Sequence, residues 1–377
     1  MEQKNILIVC GESSGEMRAA ELVEELNKLN RNIKFFGIGS QLLQSKGVEI
    51  LYDIKGLSVM GISDLLKRLP RFFALKKLLL SKINSLEIKA VILVDFSGFN
   101  LRLAKKINNA IPAIYYVSPQ VWASRPGRIK ILQKYIKKIV VLFKFEREFY
   151  AKNGIEVDWV GHPLIDIVKP TLSKKYLQEN LKLTDEKTTI ALLPGSRRQE
   201  VKRILPIMLK SAAILRKELN AQFIIAKSPQ VDWRDYNNPL KKFKLDIKIV
   251  EGKPYDCMNI ADFCLVCSGT ATLEAAIMEK PFVVIYKTTL LNYLLYRPLI
   301  KVPFIGIINI INNKKIVPEF IQFNAKPKRI IKSVTCILKN NEELKKMRDN
   351  LIKVKSSLGR PNAASRAAEA ILPLLKK

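Results

Sequence analysis

The sequence predicts an α/β protein of two successive doubly wound units, each a parallel sheet flanked by helices. Short β-branched runs that end in Gly, Asp or Ser alternate with amphipathic stretches, which is typical of parallel strands joined by helices. This alternation restarts once, after a charged, proline-containing stretch. The 377 residues fit two domains at about 150 residues each. The 48% hydrophobic content supplies two cores and excludes intrinsic disorder, collagen and a disulfide miniprotein.

The first unit begins with an apolar strand that runs directly into a glycine-containing turn and a helix-like stretch over 16–29. Further apolar runs follow at intervals that leave room for crossover segments. The pattern therefore predicts parallel strands over residues 6–10, 34–39, 90–94, 114–117 and 138–142.

The clearest domain boundary is Val168-Lys-Pro-Thr-Leu-Ser-Lys-Lys175, which is charged and contains proline, as linkers do. We expect a first domain over 1–168 and a second over 169–359. Because Leu358-Gly-Arg-Pro-Asn362 interrupts a helix, the tail over 360–377 is expected to fold back on the first domain. The second domain is predicted to contain helices over 200–219 and 272–278, and strands over 189–193, 223–226, 247–250, 263–267 and 282–286.

The chain is strongly basic, with 65 Lys and Arg against 34 Asp and Glu and a formal charge of +31. Such a charge attracts phosphates, nucleic acid or an anionic lipid leaflet. A nucleic-acid-binding protein is disfavoured, because the chain has neither a clustered Lys/Arg tract nor an aromatic RNA-binding motif. Phosphates and an anionic membrane surface stay open as partners, and nucleic acid is not expected.

The cysteines and apolar runs indicate a reducing compartment. Five cysteines without framework spacing do not suggest disulfides. The first residues are too few for a signal-peptide core, and no run approaches the roughly 18 apolar residues of a membrane span. The expected location is the cytoplasm, either free or resting on a membrane surface.

Two turns at the carboxyl end of the first predicted sheet carry candidate functional residues. Gly11-Glu-Ser-Ser-Gly15 allows the backbone to approach an anion at a helix N-terminus, although a tight turn without a ligand explains the same residues. A dinucleotide site is not expected, since the turn departs from Gly-x-Gly-x-x-Gly and no acidic residue closes the second strand. Asp95, which ends the apolar strand 90–94, is either a general base or a helix cap.

The second unit repeats this arrangement twice. Pro194-Gly-Ser-Arg-Arg198 combines backbone amides, a helix dipole and guanidinium groups, which suit a diphosphate. Ser268-Gly-Thr-Ala-Thr-Leu-Glu274 places a second helix N-terminus beside a carboxylate that can accept ribose hydroxyls. Plain helix caps are the alternative, but two such turns in one α/β unit favour a nucleotide crevice.

A metal site is not expected. Cys264 and Cys267 lie three apart in a predicted strand and so point to opposite faces, which favours core packing over a metal or redox pair. His162 is the only histidine, and no Asp-x-Asp occurs to hold a diphosphate through a metal ion.

A basic amphipathic segment over 65–80 interleaves Leu and Phe with Lys and Arg across a break at Pro70. Two interpretations stay open: the segment lies on anionic lipid, or its apolar stripe packs on the sheet with lysines in solvent. A second apolar stretch over 290–300 has the same ambiguity.

Together these segments resemble lipid-A-disaccharide synthase, a glycosyltransferase family of lipopolysaccharide biosynthesis. They follow the family's order from residue 11 to residue 322. The pieces are Gly11-Glu-Ser-Ser-Gly15, Leu57-Ser-Val-Met-Gly61, Asp95-Phe-Ser-Gly-Phe-Asn100, Tyr116-Val-Ser-Pro-Gln-Val-Trp-Ala123, Gly161-His-Pro163, Leu193-Pro-Gly-Ser-Arg197 with Glu200-Val201, Ser268-Gly-Thr-Ala-Thr-Leu-Glu274, and Asn309 with Pro318-Glu319 and Gln322.

The resemblance implies the GT-B fold, in which two Rossmann-like domains face each other across a cleft. It implies that UDP-2,3-diacylglucosamine donates its sugar to 2,3-diacylglucosamine 1-phosphate, giving a β(1→6) disaccharide 1-phosphate and UDP, without metal or cofactor. It also implies a peripheral position on the cytoplasmic face of the inner membrane, with a homodimer left open. Other enzymes of UDP-sugars, including UDP-N-acetylglucosamine 2-epimerase, share the Ser-Gly turn followed by Glu, but the segments around Trp122 and Arg197 favour the lipid A family.

The resemblance also assigns residues. It implies catalytic roles for Asp95, Arg197 and Glu12. Many members have a second Asp, their usual candidate base, where this chain has Gly98; we therefore move that role to Asp95, with Glu12 or His162 as alternatives. The implied substrate-binding residues are Ser13, Ser14, Met60, Asn100, Ser118, Trp122, His162, Gly195, Ser196, Ser268, Gly269, Thr270, Glu274, Asn309 and Gln322.

Overall fold

The computed structural model describes residues 3–55, 57, 62–243, 245–300 and 302–376. The chain divides into two units. Unit 1 comprises Met1–Pro163, Leu299–Lys301 and Leu358–Lys377, and unit 2 comprises Leu164–Pro298 and Val302–Ser357. The predicted boundary after residue 168 lies five residues beyond the point where the chain enters unit 2.

Unit 1 contains a parallel sheet of seven strands in the order β3-β2-β1-β4-β5-β6-β7. The central strands are apolar on both faces and buried, as expected where helices cover both sides of a parallel sheet. The strands are β1 (Lys4–Val9), β2 (Ile33–Gly39), β3 (Val48–Asp53), β4 (Ala90–Val94), β5 (Ala113–Tyr116), β6 (Lys138–Val141) and β7 (Asp158–Trp159).

The helices of unit 1 come from both ends of the chain. They are α1 (Ser13–Leu29), α2 (Gln41–Gln44), α3 (Ile62–Ser85), α4 (Ser97–Ile107), α5 (Ile129–Tyr135), α6 (Lys144–Lys152) and α17 (Ala363–Lys376). Helix α17 packs on α1, and its buried Ile371 and Leu375 belong to the same core as Leu22 of α1. The side chain of Arg366 fixes this helix by donating to the carbonyl of Val160 at 2.7 and 2.9 Å.

Unit 2 contains a parallel sheet of six strands in the order β10-β9-β8-β11-β12-β13. The strands are β8 (Thr188–Leu193), β9 (Ala221–Lys227), β10 (Ile247–Glu251), β11 (Phe263–Cys267), β12 (Phe282–Tyr286) and β13 (Glu319–Ile321). The helices are α7 (Leu164–Ile167), α8 (Lys174–Asn180), α9 (Arg198–Glu218), α10 (Arg234–Phe243), α11 (Pro254–Ile260), α12 (Thr270–Ile277), α13 (Leu290–Tyr296), α14 (Ile307–Ile311), α15 (Pro327–Lys339) and α16 (Asn341–Ser357).

The strand order reverses at one place in each sheet, and each reversal positions the candidate functional residues of its own unit. In unit 1 the reversal lies between β1 and β4, and in unit 2 between β8 and β11. Ligands of open α/β sheets bind outside the carboxyl ends of the strands at such a reversal. The residues that follow these four strands include Gly11, Asp95, Gly195 and Ser268.

The predicted α/β class with two doubly wound parallel sheets is confirmed. The predicted break at Pro70 is wrong, because α3 continues through it; an internal proline removes one hydrogen bond, and the rest of the helix continues where packing compensates for the loss. Leu75 and Leu79 of α3 are buried in the core, whereas Phe73 is 61% exposed. Within the described ranges, no helix combines the length and apolar character needed to cross a membrane.

Candidate active site

The turn after β1 and the turn after β4 are packed directly against each other. A Cβ at residue 11 would lie 2.1 Å from Cγ of Phe96, so only glycine fits there. A Cβ at residue 15 would lie 3.5 Å from Cβ of Asp95, in ordinary contact. Ser13 and Ser14 are exposed in the first turn of α1. The structure therefore brings the predicted Gly11–Gly15 turn and Asp95 together.

Asp95 is held in an unusual backbone conformation. Its φ is +48° and that of Phe96 is +47°, so two successive residues occupy the left-handed region without being glycine. Such a conformation persists only where the surroundings enforce it, and it is common at functional sites. The carbonyl of Asp95 accepts hydrogen bonds from the Tyr115 hydroxyl at 2.5 Å and from Nδ2 of Asn100 at 2.8 Å. These bonds hold the main chain of Asp95 in this conformation.

Burial raises the pKa of the Asp95 carboxyl to about 6, and the nearby charge of Glu12 contributes in the same direction. A carboxyl group that titrates near neutrality is suited to accept a proton from a substrate hydroxyl. Asn100 is fully buried and binds the main chain, which makes it a positioning residue for Asp95.

His162 is poorly suited to act as a base. Its imidazole is buried, with its ring centroid 5.0 Å from that of Phe143. Burial lowers its pKa to about 3, and the charge of Arg18 acts in the same direction. Such an imidazole binds protons weakly at neutral pH, which makes Asp95 the better candidate base of the two.

Gly98 lies exposed in the first turn of α4, and a Cβ at this position would meet nothing within 4 Å. An aspartate would therefore fit sterically where this chain has glycine. The reason for the substitution is not visible in the packing.

Ser118 and Trp122 converge on a buried carboxylate that sequence reasoning missed. Oε1 of Glu146 accepts from Nε1 of Trp122 at 3.1 Å and from Oγ of Ser118 at 3.3 Å. Its Oε2 accepts from the backbone amide of Phe143 at 3.1 Å. Burial raises the pKa of Glu146 to about 7. The available signal was a glutamate in the first turn of α6, directly after a buried strand.

In unit 2, the carboxylate of Glu200 occupies backbone amides of the turn after β8. Oε2 of Glu200 accepts from the backbone amides of Ser196 at 3.1 Å and Arg197 at 3.2 Å, and its Oε1 accepts from Nη1 of Arg197 at 3.3 Å. Gly195 has φ +115°, and a Cβ there would lie 2.5 Å from Oε2 of Glu200. Of the diphosphate donors predicted in this turn, these two amides are therefore engaged with Glu200, whereas the Arg197 side chain, which also bonds Glu200, is 54% exposed.

The turn after β11 lies beside the turn after β8, because a Cβ at Gly195 would be 3.3 Å from Sγ of Cys267. Gly269, with φ +151°, is the N-cap of α12 and has no side chain to cap the helix. Thr270 is exposed at this N-terminus. One turn further, Oε1 of Glu274 accepts from the Tyr255 hydroxyl at 3.2 Å. A helix N-terminus and an oriented carboxylate thus stand at the reversal point of unit 2, next to Ser268.

Asn309 and Gln322 are buried and engaged with the protein. Nδ2 of Asn309 donates to Glu319 at 2.8 Å, while its Oδ1 accepts from the amides of Ile316 and Val317 at 2.7 and 3.0 Å. Gln322 forms two hydrogen bonds of 3.1 Å with the backbone of Thr288. These contacts give both residues a positioning role for loops after β12 and before β13.

Cys264 and Cys267 are buried and free, and burial raises the pKa of Cys264 to about 12. Among the described residues, no group of three or more His, Cys, Asp or Glu side chains is arranged to hold a metal ion.

Comparison with known proteins decides the family. The family model described as lipid-A-disaccharide synthetase matches residues 6–372. The chain belongs to the lipid-A-disaccharide synthase family. The lipid-A-disaccharide synthase of Syntrophus aciditrophicus is 38% identical over 380 residues, covering 100% of this chain and 99% of the relative. That of Myxococcus xanthus is 36% identical over 372 residues, covering 98% and 97%.

Solved structures of low identity share the fold of this lipid-A-disaccharide synthase family member. UDP-GlcNAc 2-epimerase from Neisseria meningitidis aligns with a TM-score of 0.64 at 15% identity, over 98% of this chain and 100% of the epimerase. The calicheamicin glycosyltransferase CalG4 aligns with a TM-score of 0.62 at 14% identity, over 100% and 99%. These likenesses support the GT-B class of fold.

One family segment cannot be placed. Met60, assigned to substrate binding through the family's Leu57–Gly61 motif, lies outside the described residues.

Proposed function

We propose that this lipid-A-disaccharide synthase family member is an inverting glycosyltransferase. It condenses UDP-2,3-diacylglucosamine with 2,3-diacylglucosamine 1-phosphate to the β(1→6) disaccharide 1-phosphate and UDP. The observation that carries the proposal beyond family membership is the position of Asp95 directly after β4, at the reversal point of unit 1, where its partly buried carboxyl group has a pKa raised to about 6.

Asp95 is proposed to receive the proton of the attacking acceptor hydroxyl. As the hydroxyl oxygen bonds to the anomeric carbon of the donor, the bond from that carbon to the UDP oxygen breaks, and the configuration inverts. A base whose pKa lies near neutral pH performs this proton transfer efficiently. Glu12, which raises the Asp95 pKa, keeps the carboxyl basic enough for the task.

The negative charge that develops on departing UDP is proposed to be stabilised by unit 2. The Arg197 guanidinium and the N-terminus of α12 at Gly269 and Thr270 supply positive charge and amide donors. Glu274, oriented by Tyr255, is proposed to accept the ribose hydroxyls of the donor. Ser196 and Ser268 line the same turns and complete the proposed nucleotide contacts.

A peripheral location at the cytoplasmic face of the inner membrane is part of this proposal, because both substrates are lipids. In unit 1 the exposed Phe73 and the adjacent Lys76, whose Nζ lies 5.1 Å from the Phe73 ring centroid, support a lipid contact of α3. A homodimer stays a prediction.

The test is to incubate purified protein with the two lipid substrates, with and without EDTA, and to look for the disaccharide phosphate by mass spectrometry. Product in both samples supports transfer without a metal ion. Product only in the sample without EDTA contradicts the metal independence of the transfer. Binding of UDP-N-acetylglucosamine without transfer across several acyl lengths would reduce the proposal to another enzyme of UDP-sugars; epimerised sugar would identify the 2-epimerase alternative.

A further inference from the structure

Helix α13 of unit 2 presents a face of exposed leucines. Leu290, Leu291, Leu294 and Leu295 are 53%, 66%, 58% and 43% exposed. At 3.6 residues per turn these four positions span an arc of about 140° on the helix surface. We call them the leucine face. Large contiguous apolar patches are uncommon on soluble proteins unless they bind another surface. We therefore expect the leucine face to be a binding surface.

The leucine face continues onto the turn after β13. Phe323 is 62% exposed, and its ring lies edge-on to that of Tyr293 of α13, with centroids 5.8 Å apart. Phe323 immediately precedes Asn324 and the segment that enters α15. Ala325, two residues after Phe323, lines a neighbouring groove.

That groove, of about 440 Å³, is lined by Lys202, Arg203, Lys210, Lys287 and Lys326, and otherwise by apolar residues. We call it the basic groove. Lys287 stands three residues before α13 and Lys326 three residues after Phe323, so the chain joins the groove to the leucine face from both sides. Of the described residues that line it, none is acidic.

The surrounding sequence has the same one-sided charge. Residues 280–341 include eleven Lys or Arg and a single acidic residue, Glu319. The Glu319 carboxylate is turned inward, where it accepts from the backbone amides of Ile305 and Gly306 at 3.0 and 2.9 Å. Helix α15 begins with Lys326 as N-cap and carries Lys328 in its first turn, although anions are the ions that stabilise a helix N-terminus. The charge of this surface therefore favours contact with an anionic partner.

We propose that the leucine face and the basic groove form a membrane-docking surface of unit 2 for an anionic lipid leaflet. The leucines enter the boundary between headgroups and acyl chains, and the groove lysines bind lipid phosphates. This surface adds a second lipid contact to that of α3. It does not depend on the proposed transfer reaction, because vesicle binding is measured without substrate and a failed transfer assay leaves the test intact.

The first arm tests the leucine face by co-sedimentation of the full chain with vesicles of equimolar phosphatidylcholine and phosphatidylglycerol. Leu290→Ser/Leu294→Ser is expected to weaken partitioning about tenfold or more. The matched control, Ile214→Ser/Ile352→Ser, removes two side chains of 42% and 44% exposure from α9 and α16 and is expected to bind as the wild type. Equal binding by the leucine variant and the wild type would overturn the proposal.

The second arm tests the basic groove. Lys210→Gln/Lys326→Gln is expected to weaken binding to these vesicles about tenfold or more and to leave binding to pure phosphatidylcholine unchanged. The control Lys345→Gln/Lys353→Gln removes two exposed lysines of α16. If both pairs weaken binding equally, the effect is one of net charge and the groove is not a specific contact.

Two other occupants of the leucine face are distinguished by further measurements on the same variants. If the leucine variant keeps vesicle binding but loses transfer in detergent micelles, the face holds substrate acyl chains, and the docking proposal is wrong. If it changes a dimer into a monomer in analytical ultracentrifugation and keeps vesicle binding, a second copy of the chain covers the face, which also overturns the proposal.

Discussion

Substitution of Asp95 by asparagine is expected to lower turnover and to raise the stability of the fold. The variant keeps the shape of the side chain and the main-chain bonds from Tyr115 and Asn100, but it removes the base. Loss of a general base costs on the order of 10²–10⁴ in rate. We expect turnover of the two lipid substrates to fall by that factor, and the rise of wild-type activity with pH through about 6 to disappear.

The stability of the same variant should change in the opposite direction. The folded pKa of Asp95 is raised from 3.8 to about 6, so the folded state binds more protons than the unfolded state between these values, and stability falls as pH rises through this window. The difference corresponds to roughly 3 kcal/mol as an upper estimate. Asp95→Asn does not ionise and should therefore be more stable than wild type at pH 8, by up to that amount.

The measurement is urea unfolding at pH 4 and pH 8, with activity assayed on the same samples. The stability gained by Asp95→Asn should be larger at pH 8 than at pH 4, because the penalty it removes develops only as the aspartate ionises. Full activity would refute the assignment of the base. A variant destabilised equally at both pH values would refute the account of the buried charge.

Three further predictions concern the two units separately. Arg197→Ala should lower turnover about 100-fold with an unchanged melting curve, because removal of one charge-stabilising donor costs roughly that much; near-normal turnover removes Arg197 from the site. Lys76→Glu/Lys77→Glu should weaken binding to anionic vesicles in a salt-dependent manner, and unchanged binding would mean that α3 only packs on its sheet. Glu146→Gln should remove part of the decline in wild-type stability between pH 4.5 and about 7, since burial raises the pKa of this carboxyl; an unaltered profile in urea unfolding would show that Glu146 does not titrate there.

The central strands could be predicted from sequence because they are apolar on both faces. Residues 90–94 and 263–267 coincide with β4 and β11, which are fully buried. The missed strands β3, β7 and β13 are short or partly exposed. Their pairing depends on neighbouring strands, and none of them contains an apolar run longer than three residues.

The candidate site was predictable to the same extent. The turn residues Asp95 and Arg197 follow strands, so their position at a sheet edge follows from topology. Glu146 and the inward carboxylate of Glu200 were not anticipated. Their roles arise from contacts with Trp122 and with the amides of Ser196 and Arg197, which depend on three-dimensional packing.

The place of α17 in the core of unit 1 has a consequence for synthesis on the ribosome. Its Ala367, Ala368, Ile371 and Leu375 are buried in the core that includes Leu22 of α1. Domains tend to fold as units while the chain emerges, and α17 is translated only after Ser357, the last residue of unit 2. Unit 1, whose first strand leaves the ribosome earliest, keeps an open apolar face until then. The half of the enzyme that carries Asp95 is thus begun first and finished last.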